Sequence, residues 1–173
     1  AIALFYQPSF SVFDTGSSQD AGTATQILWS IQSTQILGHL EAVFWRYPSG
    51  FEWGGWTWAG IGVAGVGLAL RSWSVIHLGK AFTWHIDPDQ ADQLIQTGPF
   101  ARLRHPSYTG AFLFYGGVLF VLQAWFALAL AVVLMPLAFH RRIRLEEEAL
   151  TKRFPDAYPS YRKQVGAVIP KVF

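Results

Sequence analysis

The sequence predicts an all-α integral membrane protein with about four transmembrane helices, the last two forming a helical hairpin. Three observations carry that reading. Of the 173 residues, 51% are apolar and only 14% are charged, against roughly 25% charged in ordinary soluble domains. A soluble chain of this length cannot hide so much apolar surface. The chain also holds 8 Trp, 14 Phe and 6 Tyr, residue types that concentrate at the membrane-water boundary as well as in cores. Finally, the charges withdraw from long runs and the basic ones gather near the C-terminus, at Arg141, Arg142, Arg144, Lys152, Arg153, Arg162, Lys163 and Lys171.

The first apolar stretch, residues 22–45, is the weakest, because Gln26, Gln32, Gln35, His39 and Glu41 interrupt it. We read it as a span whose polar side chains face other helices, with an interfacial helix as the alternative. The second, residues 54–77, is rich in small residues, among them Gly60, Gly62, Gly65 and Gly67, which let helices approach closely in lipid. It carries Arg71 in its last third. Snorkelling to the interface is the first reading of that cation, and a contact inside the bundle is the second. The segment 1–13 is too short to span a bilayer.

From residue 106 to residue 139 there is no charged side chain. One helix of that length would reach about 51 Å, far beyond a hydrocarbon core of about 30 Å. The run is therefore expected to fold in two near Gln123, Ala124 and Trp125, with arms that are short but tolerable. A hairpin returns the chain to the side it left. The basic residues at 102–105 and 141–144 then share one face, which positive-inside bias makes cytoplasmic.

The resulting plan is a single membrane domain. Two spans occupy 22–79, a cytoplasmic loop 80–107, the transmembrane hairpin 108–140, and a cytoplasmic helix and tail 141–173. Pro88, Gly98 and Pro99 break regular structure in the loop. Residues 141–154 read as a helix leaving the membrane, with Lys152 one turn after Glu148, and Pro155 stops it. There is no internal repeat.

Several function classes drop out. Cysteine is absent, so there is no thiolate nucleophile, no disulfide and no Cys-ligated metal; no metal site is expected. The net charge of +2 comes without a recognition helix or an aromatic-basic platform, so no nucleic-acid partner is expected. The lipid bilayer is the expected surrounding, and nothing in the sequence fixes an oligomeric state.

Three features converge on the expected cytoplasmic face: Gly98-Pro99-Phe100 leading into Arg104-His105-Pro106-Ser107-Tyr108-Thr109-Gly110, Arg142 with Glu146 one helical turn later, and the tail residues Phe154, Tyr158, Tyr161, Ile169 and Pro170. Each alone has a bland reading. His-Pro at a helix start is ordinary capping, and an Arg and a Glu four apart are usually a solvated pair.

Together with Leu78-Gly79, Phe82-Thr83, Leu94-Ile95, Glu147 and Leu150, this pattern resembles the isoprenylcysteine carboxyl methyltransferase family, including its bacterial and archaeal relatives. The resemblance runs from about residue 78 to the C-terminus, and the Arg-His-Pro-x-Tyr motif at this distance before the Glu pair is its specific part. It implies an S-adenosylmethionine site on the cytoplasmic side, built without a Rossmann fold. Asp92, Leu94, Ile95, Phe100, the turn His105-Pro106-Ser107-Tyr108 and Glu146 would surround the cofactor, and Arg142 would face the acceptor's carboxylate. Two positions depart from the family pattern: Asp92 stands where His is usual, and Phe100 where Tyr is usual.

The implied chemistry suits those residue types. A carboxylate acceptor with a pKa near 4 is already ionised at neutral pH, so methyl transfer needs no general base. An Arg fork orients a carboxylate bidentately. His105 and backbone N–H groups at the start of the hairpin can serve the cofactor's own carboxylate. The acceptor is expected to be a lipophilic small molecule or a prenylated cysteine. The alternatives are another membrane acceptor, a phospholipid amine or a thiol, and an enzyme resembling NADPH-dependent sterol reductases.

Overall fold

The computed structural model describes residues 22–79 and 93–171. Five α-helices make up the described fold: α1 Thr23–Glu41, α2 Gly55–Leu78, α3 Pro106–Val121, α4 Trp125–Arg153 and α5 Ala157–Gln164. A π-helical turn, Ala42–Arg46, extends α1, and a 3-10 turn, Gly98–Ala101, precedes α3. Asp92 lies outside the described residues, as do Asp87 and Asp89 of the loop.

The charge-free run reverses where chain length requires it. Helix α3 ends at Val121 and α4 begins at Trp125, with Gln123 in the left-handed region at φ 50°. Its side chain is anchored in that turn, since Arg46 donates to Gln123 Oε1 from Nη2 at 2.5 Å and from Nε at 3.1 Å. At the same end of the bundle Glu41 takes the place of a cap. Its carboxylate accepts from the N–H of Phe126 at 3.1 Å and of Ala127 at 2.9 Å, two donors that the first turn of α4 would otherwise leave bare.

Helix α1 runs antiparallel to α4 along its length. Thr23 meets Arg142 at one end, Gly38 packs on Ala124 and Ala127, and Glu41 caps α4 at the other. The polar residues that weaken its sequence signal do face neighbours in part: Gln35 donates to the Tyr115 carbonyl at 3.2 Å. Helices α2 and α3 form an antiparallel pair packed on glycine. A Cβ at Gly67 would strike the Phe114 nitrogen and the Gly110 carbonyl, and one at Gly117 would strike the backbone of Ala64. Gly60 meets Val121 in the same way, whereas Gly62 and Gly65 face open space.

Small residues inside and large apolar residues outside mark a fold made for lipid. The main core contains Ala111, Ala124, Ala127 and Ala131 around Leu119, Met135 and Phe139, while Val63, Val66, Val132, Val133 and Leu137 are exposed. In water the large side chains would be the buried ones; in lipid, close backbone packing replaces the hydrophobic drive. Among the described residues two helices are long and apolar enough to cross a membrane, Gly55–Leu78 and Trp125–Arg153, and Pro106–Val121 is apolar but shorter.

Of the two readings of Arg71, the contact inside the bundle is the one seen: its Nη1 donates to Ser107 Oγ at 3.0 Å and to the Ser107 carbonyl at 3.3 Å. Gly110 permits this, because its missing side chain leaves room for the Arg71 backbone and Cβ.

Candidate functional site

The site lies at the end of the bundle away from the α3–α4 turn, where the start of α3 meets the last third of α4. Pro106 opens α3, a position where its missing N–H costs nothing. His105 and Tyr108, three residues apart across that opening, then lean toward α4. On α4, Arg142 and Glu146 share a face because they are one turn apart, and Glu147 is turned about 100° from Glu146.

These side chains make a continuous polar network. Tyr108 Oη donates to Glu146 Oε1 at 2.5 Å, and Arg142 Nε donates to the same oxygen at 2.9 Å. His105 Nδ1 lies 3.4 Å from Glu146 Oε2, and its Nε2 lies 3.4 Å from Glu147 Oε1. Arg104 pairs with Glu147 through Nη1, and Arg162 of α5 reaches Glu147 Oε2 at 3.3 Å. Arg142 is 3% exposed and also donates to Thr23 Oγ1 at 3.3 Å.

The C-terminal tail closes over this end. Arg104 N–H donates to the Gly166 carbonyl at 2.8 Å and His105 N–H to that of Ala167 at 2.9 Å. Thr109 Oγ1 donates to the Val168 carbonyl at 2.8 Å. Tyr161 donates to the Phe100 carbonyl at 2.6 Å, and burial pushes its phenol up to about 12. Tyr158, Tyr161 and Val165 form a small second core, against which Leu94, Leu150 and Phe154 pack.

Burial opposes a charge on the His105 ring, but its hydrogen bonds to Glu146 and Glu147 outweigh that cost and hold its pKa above the ordinary histidine value. A ring with a carboxylate at each nitrogen is favoured as imidazolium.

Of the residues expected from sequence, His105, Tyr108, Arg142 and Glu146 are in direct contact. Ser107 is turned the other way, to Arg71. Phe100 is buried and stacks on His77, with ring centroids 6.3 Å apart; His77 also lies 2.9 Å from Thr97 Oγ1. Leu94 packs on the second core, with half-buried Ile95 beside it in the chain. Ile169 and Pro170 of the expected tail cluster are exposed.

Sequence reasoning gave no role to Arg104, Glu147 or Arg162, which the fold ties into the site. The adjacent Glu pair was the available signal, because neighbouring carboxylates on a helix must face different partners. At the start of α3 few backbone donors remain for an anion: Pro106 has none, His105 N–H is held by Ala167, and those of Tyr108 and Thr109 turn to the His105 carbonyl.

A family model described as phospholipid methyltransferase matches residues 56–157. The protein-S-isoprenylcysteine O-methyltransferase of Schizosaccharomyces pombe is 33% identical over 106 residues, covering 60% of this chain and 44% of that protein. The one from Saccharomyces cerevisiae is 35% identical over 77 residues, covering 44% of this chain and 32% of that protein. The solved structure of the eukaryotic intramembrane Ras methyltransferase ICMT (isoprenylcysteine carboxyl methyltransferase) superposes with a TM-score of 0.71 at 26% identity, over 84% of this chain and 52% of that one. The chain thus spans about half the length of these relatives, or less. Its helical fold resembles that intramembrane structure over the part it matches, and the chain belongs to the phospholipid methyltransferase family.

Proposed function

We propose that this chain is a multi-pass membrane methyltransferase that uses S-adenosylmethionine to methylate the carboxylate of a lipophilic, prenylcysteine-type acceptor. The observation that carries the reading is the cluster of Tyr108, Arg142 and Glu146 around a single carboxylate oxygen. It stands where α3 and α4 reach the basic end of the bundle. The similarity to isoprenylcysteine methyltransferases supports the acceptor class.

The residues present suit the cofactor's chemistry. An amino-acid end that carries both charges needs an acceptor, which Glu146 offers, and a donor, which Arg104 offers. Phe100, Leu94 and Ile95 provide apolar surface nearby for a purine, with Pro106 and Tyr108 closing the α3 side. The cofactor, when bound, supplies an electrophilic methyl group. The protein's part is positioning: Arg142 orients the acceptor carboxylate, Tyr108 and His105 fix Glu146, and the closed tail keeps water out. Because the acceptor is already ionised, no side chain has to remove a proton.

All four long helices cross the bilayer in this reading, including α1, which lies along α4 from end to end. The aromatic residues support one orientation. Trp56, Phe120 and Trp125 stack edge to face at 5.2 to 5.9 Å, and Phe51, Trp53 and Trp58 join them at the turn end. That is an interfacial belt. The basic end opposite it is cytoplasmic and holds the site.

A phospholipid amine is the second acceptor class, favoured by the description of the family model. Radiolabelled methyl transfer from S-adenosylmethionine to a farnesylcysteine analogue, beside a membrane lipid extract, tests the proposal. Label in the base-labile ester of the farnesylcysteine analogue is expected. Label only in lipid, or none in either, would overturn the carboxylate reading.

A further inference from the structure

Glu147 is 6% exposed and His105 is 7% exposed, so the pair between them is shielded from water. Glu147 Oε1 serves both His105 Nε2 and Arg104, and Oε2 serves Arg162. His105 and Arg104 belong to the turn that opens α3, and Arg162 belongs to α5, the helix that carries the chain into the tail. One carboxylate therefore touches the turn, the ring that faces Glu146, and the element that holds the tail down. Backbone bonds from Arg104 and His105 to Gly166 and Ala167 continue the same contact.

We propose that Glu147 is a positioning residue. It clasps the His105 ring on the side opposite Glu146, and through Arg162 it locks α5 and the tail onto the 103–105 turn. Glu146 is then held by a ring that cannot rotate away, and its free geometry is set before any ligand arrives. A neutral side chain at 147 leaves His105 with one carboxylate in a buried place, so the ring discharges more readily. The groups facing the ring are Glu146 and Glu147 of α4, with Arg142 beyond Glu146, Tyr108 of α3, and Arg104 and Arg162 beyond Glu147. That the turn serves a cofactor rests on the methyltransferase reading. The clasp itself does not.

The test uses the full chain in lipid nanodiscs without ligand, with His105 imidazole shifts followed across pH and amide exchange followed at residues 103–105. Glu147→Gln should lower the His105 midpoint by about one pH unit or more, and Glu147→Asp should restore part of it. Arg162→Gln, an exposed change, should leave the midpoint in place yet speed exchange at Arg104 and His105 by about tenfold, as local opening becomes easier. As the solution is made alkaline, affinity for S-adenosylhomocysteine should begin to fall at a lower pH in Glu147→Gln than in the wild type. An unchanged His105 midpoint in a folded Glu147→Gln protein overturns the proposal, and so does unchanged exchange in both variants. Failure of the wild type to bind S-adenosylhomocysteine would strike the methyltransferase reading and leave the first two measurements standing.

Discussion

Tyr108 and Glu146 meet across the α3–α4 interface, the phenol donating to the carboxylate at 2.5 Å. Neither residue is near the other in sequence. Their contact joins the Arg-His-Pro-x-Tyr turn to the exit helix, and Arg142 holds the same oxygen from within α4.

Glu146→Ala is expected to weaken S-adenosylhomocysteine binding by about 1 to 3 kcal/mol, the scale of a lost hydrogen bond to a charged group. Tyr108→Phe should cost about 1 kcal/mol or less, since Arg142 and His105 still hold the carboxylate. Calorimetric titration measures both. Unchanged affinity in Glu146→Ala would remove that residue from the site.

Arg142→Ala should cut kcat/KM on a carboxylate acceptor by on the order of a hundredfold, with Lys rescuing only in part because it lacks the planar fork. Arg142 is buried against Thr23 and Glu146, so cofactor affinity has to be measured alongside. A phospholipid amine acceptor predicts almost no loss of turnover. A fully active Arg142→Ala protein sinks the carboxylate assignment.

The stability of the fold should carry a pH signature from His105. Its folded-state pKa is raised, so its contribution is fully present below the unfolded value of about 6.5 and is lost as pH rises through the folded value. The gap in Tm between wild type and His105→Gln, read in one detergent, should narrow as the solution is made alkaline. A gap that is constant with pH would mean that the ring is not charged in the fold.

Gly67→Ala is expected to destabilise the α2–α3 pair by about 1 to 3 kcal/mol, because the added methyl meets backbone rather than a movable side chain. Gly62→Ala meets nothing within 4 Å and should be neutral or slightly stabilising through helix propensity. Thermal unfolding of the two variants in the same detergent separates them. Equal losses would contradict the glycine seam.

In this cysteine-free chain, single cysteines at Gln96 and Lys171 should react with an impermeant maleimide from one side of sealed vesicles, and a cysteine at Trp45 from the other. All three positions are exposed. Labelling of Gln96 and Lys171 from opposite sides would rule out a shared site.

Within a single helix, the sequence determined nearly everything that the periodicity of one chain can decide. The charge-free run from 106 to 139 had to reverse because it outgrows a bilayer, and the reversal fell between Val121 and Trp125. Arg142 and Glu146 share a face because 3.6 residues make a turn, and the motif around His105 was legible as residue types at fixed spacing. Partners between helices were a different matter. Four glycines on α2 looked alike, yet only Gly60 and Gly67 meet α3. Arg71 read as an outward cation or as a bundle contact, and only the fold names Ser107 as its partner. The adjacent Glu pair signals that the two carboxylates face different partners, but nothing local names His105, Arg104 and Arg162 as those of Glu147. Crossing geometry and register decide such contacts, and they are set by how two surfaces pack over their whole length, which no window of sequence contains.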